Sequence, residues 1–529
     1  MHSRMSDGVA QVEHYHGRQF RTYNILMLVI MAVGSFGFGY TNACMSTVLV
    51  QPSFIQTFNL DTRSNANDLI GMTNSLYFAG GFFGSLSSCF CSDKWGRRWG
   101  IAVPCLISTA AAALLAGSVD ISMFIVFRFV QGVAAFTLLA AIPVWMSEVA
   151  PPSIRGALVN IHNFALLIGY SVSGFVGYGF FHIHNSRNIQ WRGIFALLCI
   201  PNVLLLAVMY WIPESPRWLL LHERVEEAEK TLHRLHSAEE ARIELIQIQC
   251  QLQIDRHLQS TYLSMFTKPS YRKRTIMAFC LTCAIQICGP LVIAAYSPTI
   301  YGLLGFDANK QILYTAGFFT VSIGGSLMSL FIVQVAPRPL NFAVGIILSL
   351  ACLSVEAALV ANYATTPESL AHPNHAALKA AAAMFFVFIV FLEATLGGTQ
   401  YVYIGELFPT HIRSKGMAIG TSGLSFMNTI WLQAAPTAFR TIGWKFYLCF
   451  ICPGTVAAIL ILLLYPDTRG LPLESVAALF GDEVGDNIVQ AHEIKINTDD
   501  LSQSDQKGVI GEKEQPRAAV SLEHIEKTA

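Results

Sequence analysis

The chain has 529 residues, of which 53% are hydrophobic and only 13% charged, and its mean hydropathy is +0.48. That is too apolar for a soluble protein of ordinary composition, so a bilayer is its natural solvent. Lysine plus arginine and aspartate plus glutamate balance at 34 each, which excludes the basic footprint of a nucleic-acid binder and gives no sign of an acidic partner.

A tail, residues 1–22, precedes the first apolar stretch and lacks the short apolar core and small-residue cleavage site of a signal peptide, so the first helix is expected to stay as an anchor. Stretches of roughly 18 to 25 apolar residues, long enough to cross a bilayer, begin near Tyr23, Leu69, Trp99, Ser122, Gly156 and Trp191. A second set begins near Thr275, Gln311, Leu340, Ala380, Lys415 and Trp444. The pattern predicts an all-α membrane protein with twelve transmembrane helices in two pseudo-symmetric six-helix lobes, residues 23–213 and 273–466. Between them, residues 214–272 are charged, with Val225, Ala228, Leu232 and Leu235 at helix spacing, and read as a linker of amphipathic helices. From residue 467 a tail follows, polar and charged after Gly481, where disorder is expected. Lys94, Arg97, Arg98, Arg155, Arg217, Lys273, Arg413 and Lys415 fall on one side of this arrangement, so the positive-inside rule puts both termini in the cytoplasm, with the plasma membrane as the expected location.

The twelve cysteines lie mostly within apolar runs. Neither Cys89 with Cys91 nor Cys449 with Cys452 has neighbouring ligands that complete a zinc spacing, so no metal or cofactor is expected. The sequence contains no catalytic constellation or phosphate-cradling glycine loop either, which argues against an enzyme.

The two halves repeat each other. After the fourth helix the chain reads Glu148-Val-Ala-Pro151-Pro-Ser-Ile154-Arg155, and after the tenth Glu406-Leu-Phe-Pro409-Thr-His-Ile412-Arg413. Pro213-Glu214-Ser215-Pro216-Arg217 follows the sixth helix, and Pro466-Asp467-Thr468-Arg469 the twelfth. Together with Asp93-Lys-Trp-Gly96-Arg97-Arg98 and Arg128-Phe-Val-Gln-Gly132, these blocks resemble the sugar-porter branch of the major facilitator superfamily, of the fungal hexose and quinate type, from about Tyr23 to Phe480. The resemblance implies a fold that exposes a midplane site alternately to either side, and a small solute such as a sugar, polyol or quinate as its partner.

Asp93, Arg97, Arg98, Glu148, Arg155, Glu214, Arg217, Glu406 and Arg413 gather at helix ends on the same side. There, salt bridges between the lobes can hold the inner side shut and break when it opens; the alternative is that the arginines only fix topology and meet lipid phosphates. In the resembling family these blocks form the inner gate. After the eighth helix the chain has Gln334-Val-Ala-Pro337-Arg338-Pro339, which keeps only Arg338 of the family's loop, so a weaker latch is expected in the second half.

Polar residues inside the membrane are costly and mark the path. Arg128 lies within the fourth helix; in proton-coupled relatives the matching arginine faces an aspartate after Phe-Gly-Tyr, whereas here Phe38-Gly39-Tyr40 leads into Thr41 and Asn42. Neutral side chains cannot titrate there, which favours uniport, with protons as the alternative coupling partner. Glu393, at a position resembling a glutamate of the facilitative carriers, forms an i, i+4, i+8 line with Gly397 and Tyr401, offering a carboxylate, a gap and a ring suited to a sugar. A buried structural glutamate is the alternative there, and the likelier one for Glu356. His162 and Asn163 follow Arg155-Gly156 at the family's spacing for sugar-binding residues, and an interhelical hydrogen bond explains them equally well. Gln286-Ile-Cys-Gly289-Pro290-Leu291 resembles a family amide block in which Ile285 and Leu291 replace two amides, so the cargo is less polar than glucose. Asn428 matches a family amide by its distance from Pro436, and with Thr41, His162, Asn163, Gln286, Glu393 and Tyr401 completes the candidate solute site. Against this carrier stand an exporter of a hydrophobic metabolite, favoured by Ile285 and Leu291, and a transport-dead sensor, disfavoured by a short tail without repeated motifs.

Overall fold

A computed structural model describes residues 22–149, 155–183, 188–256, 261–364, 372–409, 411–469, 476 and 479–481. Most of both tails lies outside these residues, as do the side chain of Arg155 and the expected disorder after Gly481. The first six long helices are α1 (Thr22–Val48), α2 (Ala66–Trp95), α3 (Arg97–Ala116), α4 (Ile121–Val149), α5 (Arg155–Phe181) and α6 (Ile189–Val208). The second six are α7 (Pro269–Leu303), α8 (Ala308–Val335), α9 (Arg338–Tyr363), α10 (His375–Leu407), α11 (Arg413–Thr441) and α12 (Gly443–Leu464). Between the sets the described chain forms the short helices Pro216–Leu221, Val225–Leu235, Ala238–Arg256 and Tyr262–Thr267. Val225–Leu235 is strongly amphipathic; of the four residues at helix spacing Ala228, Leu232 and Leu235 are buried, while Val225, at the helix start, is 43% exposed.

Among the described residues ten helices are long and apolar enough to cross a bilayer, two fewer than the twelve expected. The other two are α2 and α11, of 30 and 29 residues, whose apolar character is diluted by Gly, Ser, Thr and Asn. They complete the twelve, and they pack on each other across the two halves. Facing protein instead of acyl chains, they need small side chains for close approach more than they need hydrophobicity. Gly80 and Gly84 of α2 and Gly132 of α4 show the same demand, because a Cβ on any of them would run into a backbone carbonyl of the facing helix.

The halves meet along two seams, α2 on α11 and α5 on α8, with α1 also touching the second part of α7. Ser75 donates to Gln433 at 2.7 Å on the first seam, and Ser171 and Thr320 share a 2.7 Å hydrogen bond on the second. Two helices are interrupted. In α7 the helix stops at Ile287 and restarts at Pro290, with Gly289 between at φ +77°, where glycine avoids the steric cost. In α10, Glu393–Gly397 forms a π-helical turn.

Gly96, between α2 and α3, is a second position that only glycine fills: its φ is +94° and a Cβ would collide with Glu214 Oε2. Gly96→Ala is expected to cost about 1–3 kcal/mol from backbone strain alone, read as a lower melting midpoint of the purified chain. An unchanged midpoint would show that this junction relaxes freely.

Candidate functional site

At one end of the bundle lies an ion network, and its geometry is duplicated. The α3 residue Arg97 is 6% exposed and donates to both oxygens of Glu148 on α4 at 3.1 Å each. Its backbone N–H, at the start of α3, donates to Glu214 Oε1 at 2.8 Å. In the second half Arg338, at the start of α9, is also 6% exposed and donates to the two oxygens of Glu406 at 2.9 and 3.2 Å. Its backbone N–H donates to Asp467 Oδ1 at 3.0 Å. The match extends to the supports. Trp145 Nε1 donates to the carbonyl of Pro213 at 3.1 Å, and the Tyr403 hydroxyl to that of Pro466 at 3.0 Å. Each arginine forks onto a carboxylate, which fixes its orientation, while the acid after proline caps a helix N-terminus.

Two expectations change here. The second-half latch was expected to be weaker, yet Arg338 has the same bidentate partner and the same capped amide as Arg97. What Gln334 removes is only the acid one helical turn before the arginine, the position at which Asp93 reaches Arg97 at 2.7 Å. These pairs were also expected to bridge the lobes, but those of Arg97 and Arg338 each stay within one half; Lys415 crosses, reaching Asp93 at 3.6 Å. The reason is local: both arginines sit at the start of a helix that packs beside the helix bearing their glutamate.

The other members of this group play varied parts. Arg98 gives its backbone N–H to Glu214 at 3.2 Å and lays its guanidinium 5.8 Å from the Tyr210 ring centre. Arg217 acts on Glu148 electrostatically, and Arg413 donates to the Phe408 carbonyl at 3.4 Å. Burial pushes the Glu214 carboxyl above its ordinary range, against the pull of the amides it accepts from.

A second polar set lies where α5 meets α8 and α10. Asn163 Nδ2 donates to Ser326 Oγ at 3.0 Å, directly joining the two halves. Next to Ser326, Gly325 makes room for Glu393: a Cβ there would stand 2.9 Å from the Glu393 Cβ. The Glu393 carboxylate folds over Gly397, where a Cβ would collide with its Oε2. Tyr170 of α5 and Tyr401 of α10 are both near enough to feel that carboxylate, and the Tyr170 hydroxyl accepts from Asn42 Nδ2 of α1. Of the expected line, the carboxylate and the gap lie on a π turn and the ring, Tyr401, on the α-helical segment Thr399–Leu407 that follows it. Widened turns of this kind recur at functional sites, where they re-aim side chains. A carboxylate, an amide, hydroxyls and two rings from both halves make a surface able to bind hydroxyl groups and stack on an apolar ring face.

The remaining candidates are engaged elsewhere. Asn428 Nδ2 donates to Gln286 Oε1 at 3.1 Å, tying α11 to α7 just before the Gly289 break. His162 Nδ1 pairs with Ser35 Oγ at 2.6 Å, and Thr41 Oγ1 donates back to Gly37 at 2.8 Å within its own helix. Both are buried inside the first half. Arg128 is 1% exposed, donates to the Thr73 carbonyl at 3.2 Å and stacks 4.3 Å from the Tyr77 ring centre; among the described residues it makes no ion pair. Glu356 is fully buried, with neither oxygen hydrogen-bonded among the described residues. Gly325, Ser326 and Tyr170 carried no sequence signal, because only the seating of α5 on α8 brings them to Glu393. Among the described residues no group of three metal-ligating side chains gathers.

A family model described as Sugar (and other) transporter matches residues 27–480. The chain belongs to that family. This sugar-transporter family member is therefore a multi-pass membrane transporter and not an enzyme. It is 29% identical over 460 residues to the MFS-type transporter criB of Aspergillus cristatus, covering 86% of this chain and 92% of the relative. It is also 27% identical to a high-affinity glucose transporter of Kluyveromyces lactis, covering 87% and 86%. To a probable quinate permease of Aspergillus niger it is 28% identical, covering 87% and 88%. In fold it is similar to the partially occluded inward-open xylose transporter XylE from E. coli, with TM-score 0.71, 22% identity, and coverage of 85% of this chain and all of that one. A proton:xylose symporter structure bound to 6-bromo-6-deoxy-D-glucose gives TM-score 0.71 at 23% identity, covering 87% and 99%.

Proposed function

We propose that this transporter carries a small polyhydroxylated solute, a monosaccharide, polyol or quinate-like acid, by rocking of the lobes 23–213 and 273–466, and that it works as a uniporter in the plasma membrane. The observation that carries this reading is the polar set of Asn163, Ser326, Glu393, Tyr170 and Tyr401, which draws on both halves at their seam. Thr41, His162, Gln286 and Asn428 remain proposed as further solute contacts outside that set. The charged networks lie at the cytoplasmic end in this reading, with both termini on that side. Arg97 and Arg338 brace each lobe, and the Asp93–Lys415 contact opens and closes.

Uniport rests on Arg128, which has carbonyl and aromatic partners in place of a titrating acid. A buried charge of this kind holds its protonation state across physiological pH, so it offers no proton switch. Uptake into liposomes of labelled glucose, xylose, a polyol and quinate, with and without an imposed pH gradient, tests both parts. Equilibration without accumulation is expected; accumulation that needs the gradient would replace uniport by symport. A second reading, export of a less polar metabolite, is supported by Ile285 and Leu291 at positions where the resembling family has amides. It would prevail if none of the four solutes moved and loaded vesicles released an apolar one.

A further inference from the structure

A cavity of about 600 Å³ lies apart from the proposed solute path, between the ends of α2, α3 and α6 and the short helices Pro216–Leu221 and Val225–Leu235. Five charged side chains line it: Arg98, Arg224, Arg234, Glu214 and Glu227. The carboxylates are already taken. Glu214 accepts the backbone N–H groups of Arg97, Arg98 and Ser215, and Glu227 pairs with Arg224 at 2.6 Å. Arg98 and Arg234 make no ion pair among the described residues; each lies against a tyrosine ring, Tyr210 at 5.8 Å and Tyr23 at 5.2 Å. Three arginines against two carboxylates leave the lining one net positive charge, and Arg98 and Arg234, the latter donating to the Tyr23 hydroxyl at 3.1 Å, are its cations without a carboxylate partner among the described residues.

Its mouth says where that anion comes from. Trp95, Trp99, Tyr210 and Trp211 line it while remaining 49, 61, 77 and 58% exposed. Four exposed amphipathic rings at the ends of spanning helices mark the headgroup level of a bilayer, where rings sit between acyl chains and water. A phosphate at that depth belongs to a lipid. We propose that this cavity binds the headgroup of an anionic phospholipid, with Arg98 and Arg234 around its phosphate, Arg224 at its rim where Glu227 holds it, and the tryptophans against its glycerol and upper acyl chain. Because Glu214 forms one wall and also caps α3, an occupied cavity ties the linker helices to the end of the first half beside the ion network.

The test follows the melting midpoint of the purified full chain in detergent as it is titrated with phosphatidylserine, phosphatidylcholine or inorganic phosphate. Phosphatidylserine is expected to raise the midpoint saturably, phosphatidylcholine to leave it unmoved, and inorganic phosphate to act only at concentrations more than about a hundredfold higher. Arg224→Gln/Arg234→Gln alters two exposed side chains and is expected to need roughly 25-fold more phosphatidylserine, about fivefold per arginine. Arg224→Lys/Arg234→Lys keeps the charge and stays within a few-fold of the parent, which separates lost binding from misfolding. An equal response to phosphatidylcholine, or parent-like affinity in the glutamine variant, overturns the proposal. Inorganic phosphate acting as well as the lipid overturns the lipid assignment.

Discussion

Arg97→Ala is expected to destabilise the chain by about 3 kcal/mol and to abolish most transport, because it takes from the largely buried Glu148 its bidentate partner and leaves only the more distant Arg217. Arg97 also anchors Asp93 at 2.7 Å, the residue that Lys415 reaches from the other half. Its loss therefore reaches the seam between the halves as well as the first half itself. Arg338→Ala, in the duplicate network, is expected to cost less, because Glu406 is 26% exposed and still accepts from Thr468 at 2.6 Å, and to leave the Asp93–Lys415 contact in place. The informative comparison is Arg97→Met with Glu148→Leu, since replacing a buried ion pair by apolar groups of similar size is often neutral. If that double variant regains the melting midpoint but not uptake, the pair has a part in the transport cycle. If it regains both, the pair is a brace alone. Lys415→Ala, by contrast, removes a long and partly exposed contact worth at most about 1 kcal/mol, so its effect belongs in the uptake rate and not in the midpoint.

Glu393→Gln is expected to lower solute uptake by about 10- to 100-fold while the amount of folded protein at the membrane stays constant. A hydrogen bond to a charged group is worth about 1.5–3 kcal/mol, and the amide keeps only part of it. The carboxylate lies over Gly397 beside Gly325, so the isosteric amide fits the same space and packing is unaltered. Gly397→Ala should produce a loss of the same order by a different route, pushing the carboxylate off the π turn without changing any charge. Liposome uptake, normalised to reconstituted protein, checks both. Parent-like kinetics in Glu393→Gln would remove this residue from the solute path and leave it as a packing element of α10.

The repeat of Glu148 and Arg155 in Glu406 and Arg413 announced two related halves, but not which groups pair. Sequence spacing suggested latches between the lobes. Arg97 and Arg338 turn instead to the neighbouring helix of their own half, because a residue at the start of a helix reaches whatever packs beside that turn. Gln334 in place of an acid made the second network look depleted; the partners that matter there, Glu406 and Asp467, lie 68 and 129 residues away along the chain. Likewise, Glu393 stood out because a charge among apolar residues is conspicuous, while Ser326 and Gly325 are ordinary until α8 is seated on α5.

Hydrophobic runs of bilayer length, punctuated by charged loops, were enough to specify helices, their number and their division into two sets, since each such run must satisfy its own backbone in lipid. Composition was a poor guide only for α2 and α11, whose surroundings are protein. Tertiary structure alone decided the partners of each buried charge and the π turn under Glu393. Those depend on which helix faces which across distances that no local pattern encodes, and on glycine contacts that exist only once two backbones have met.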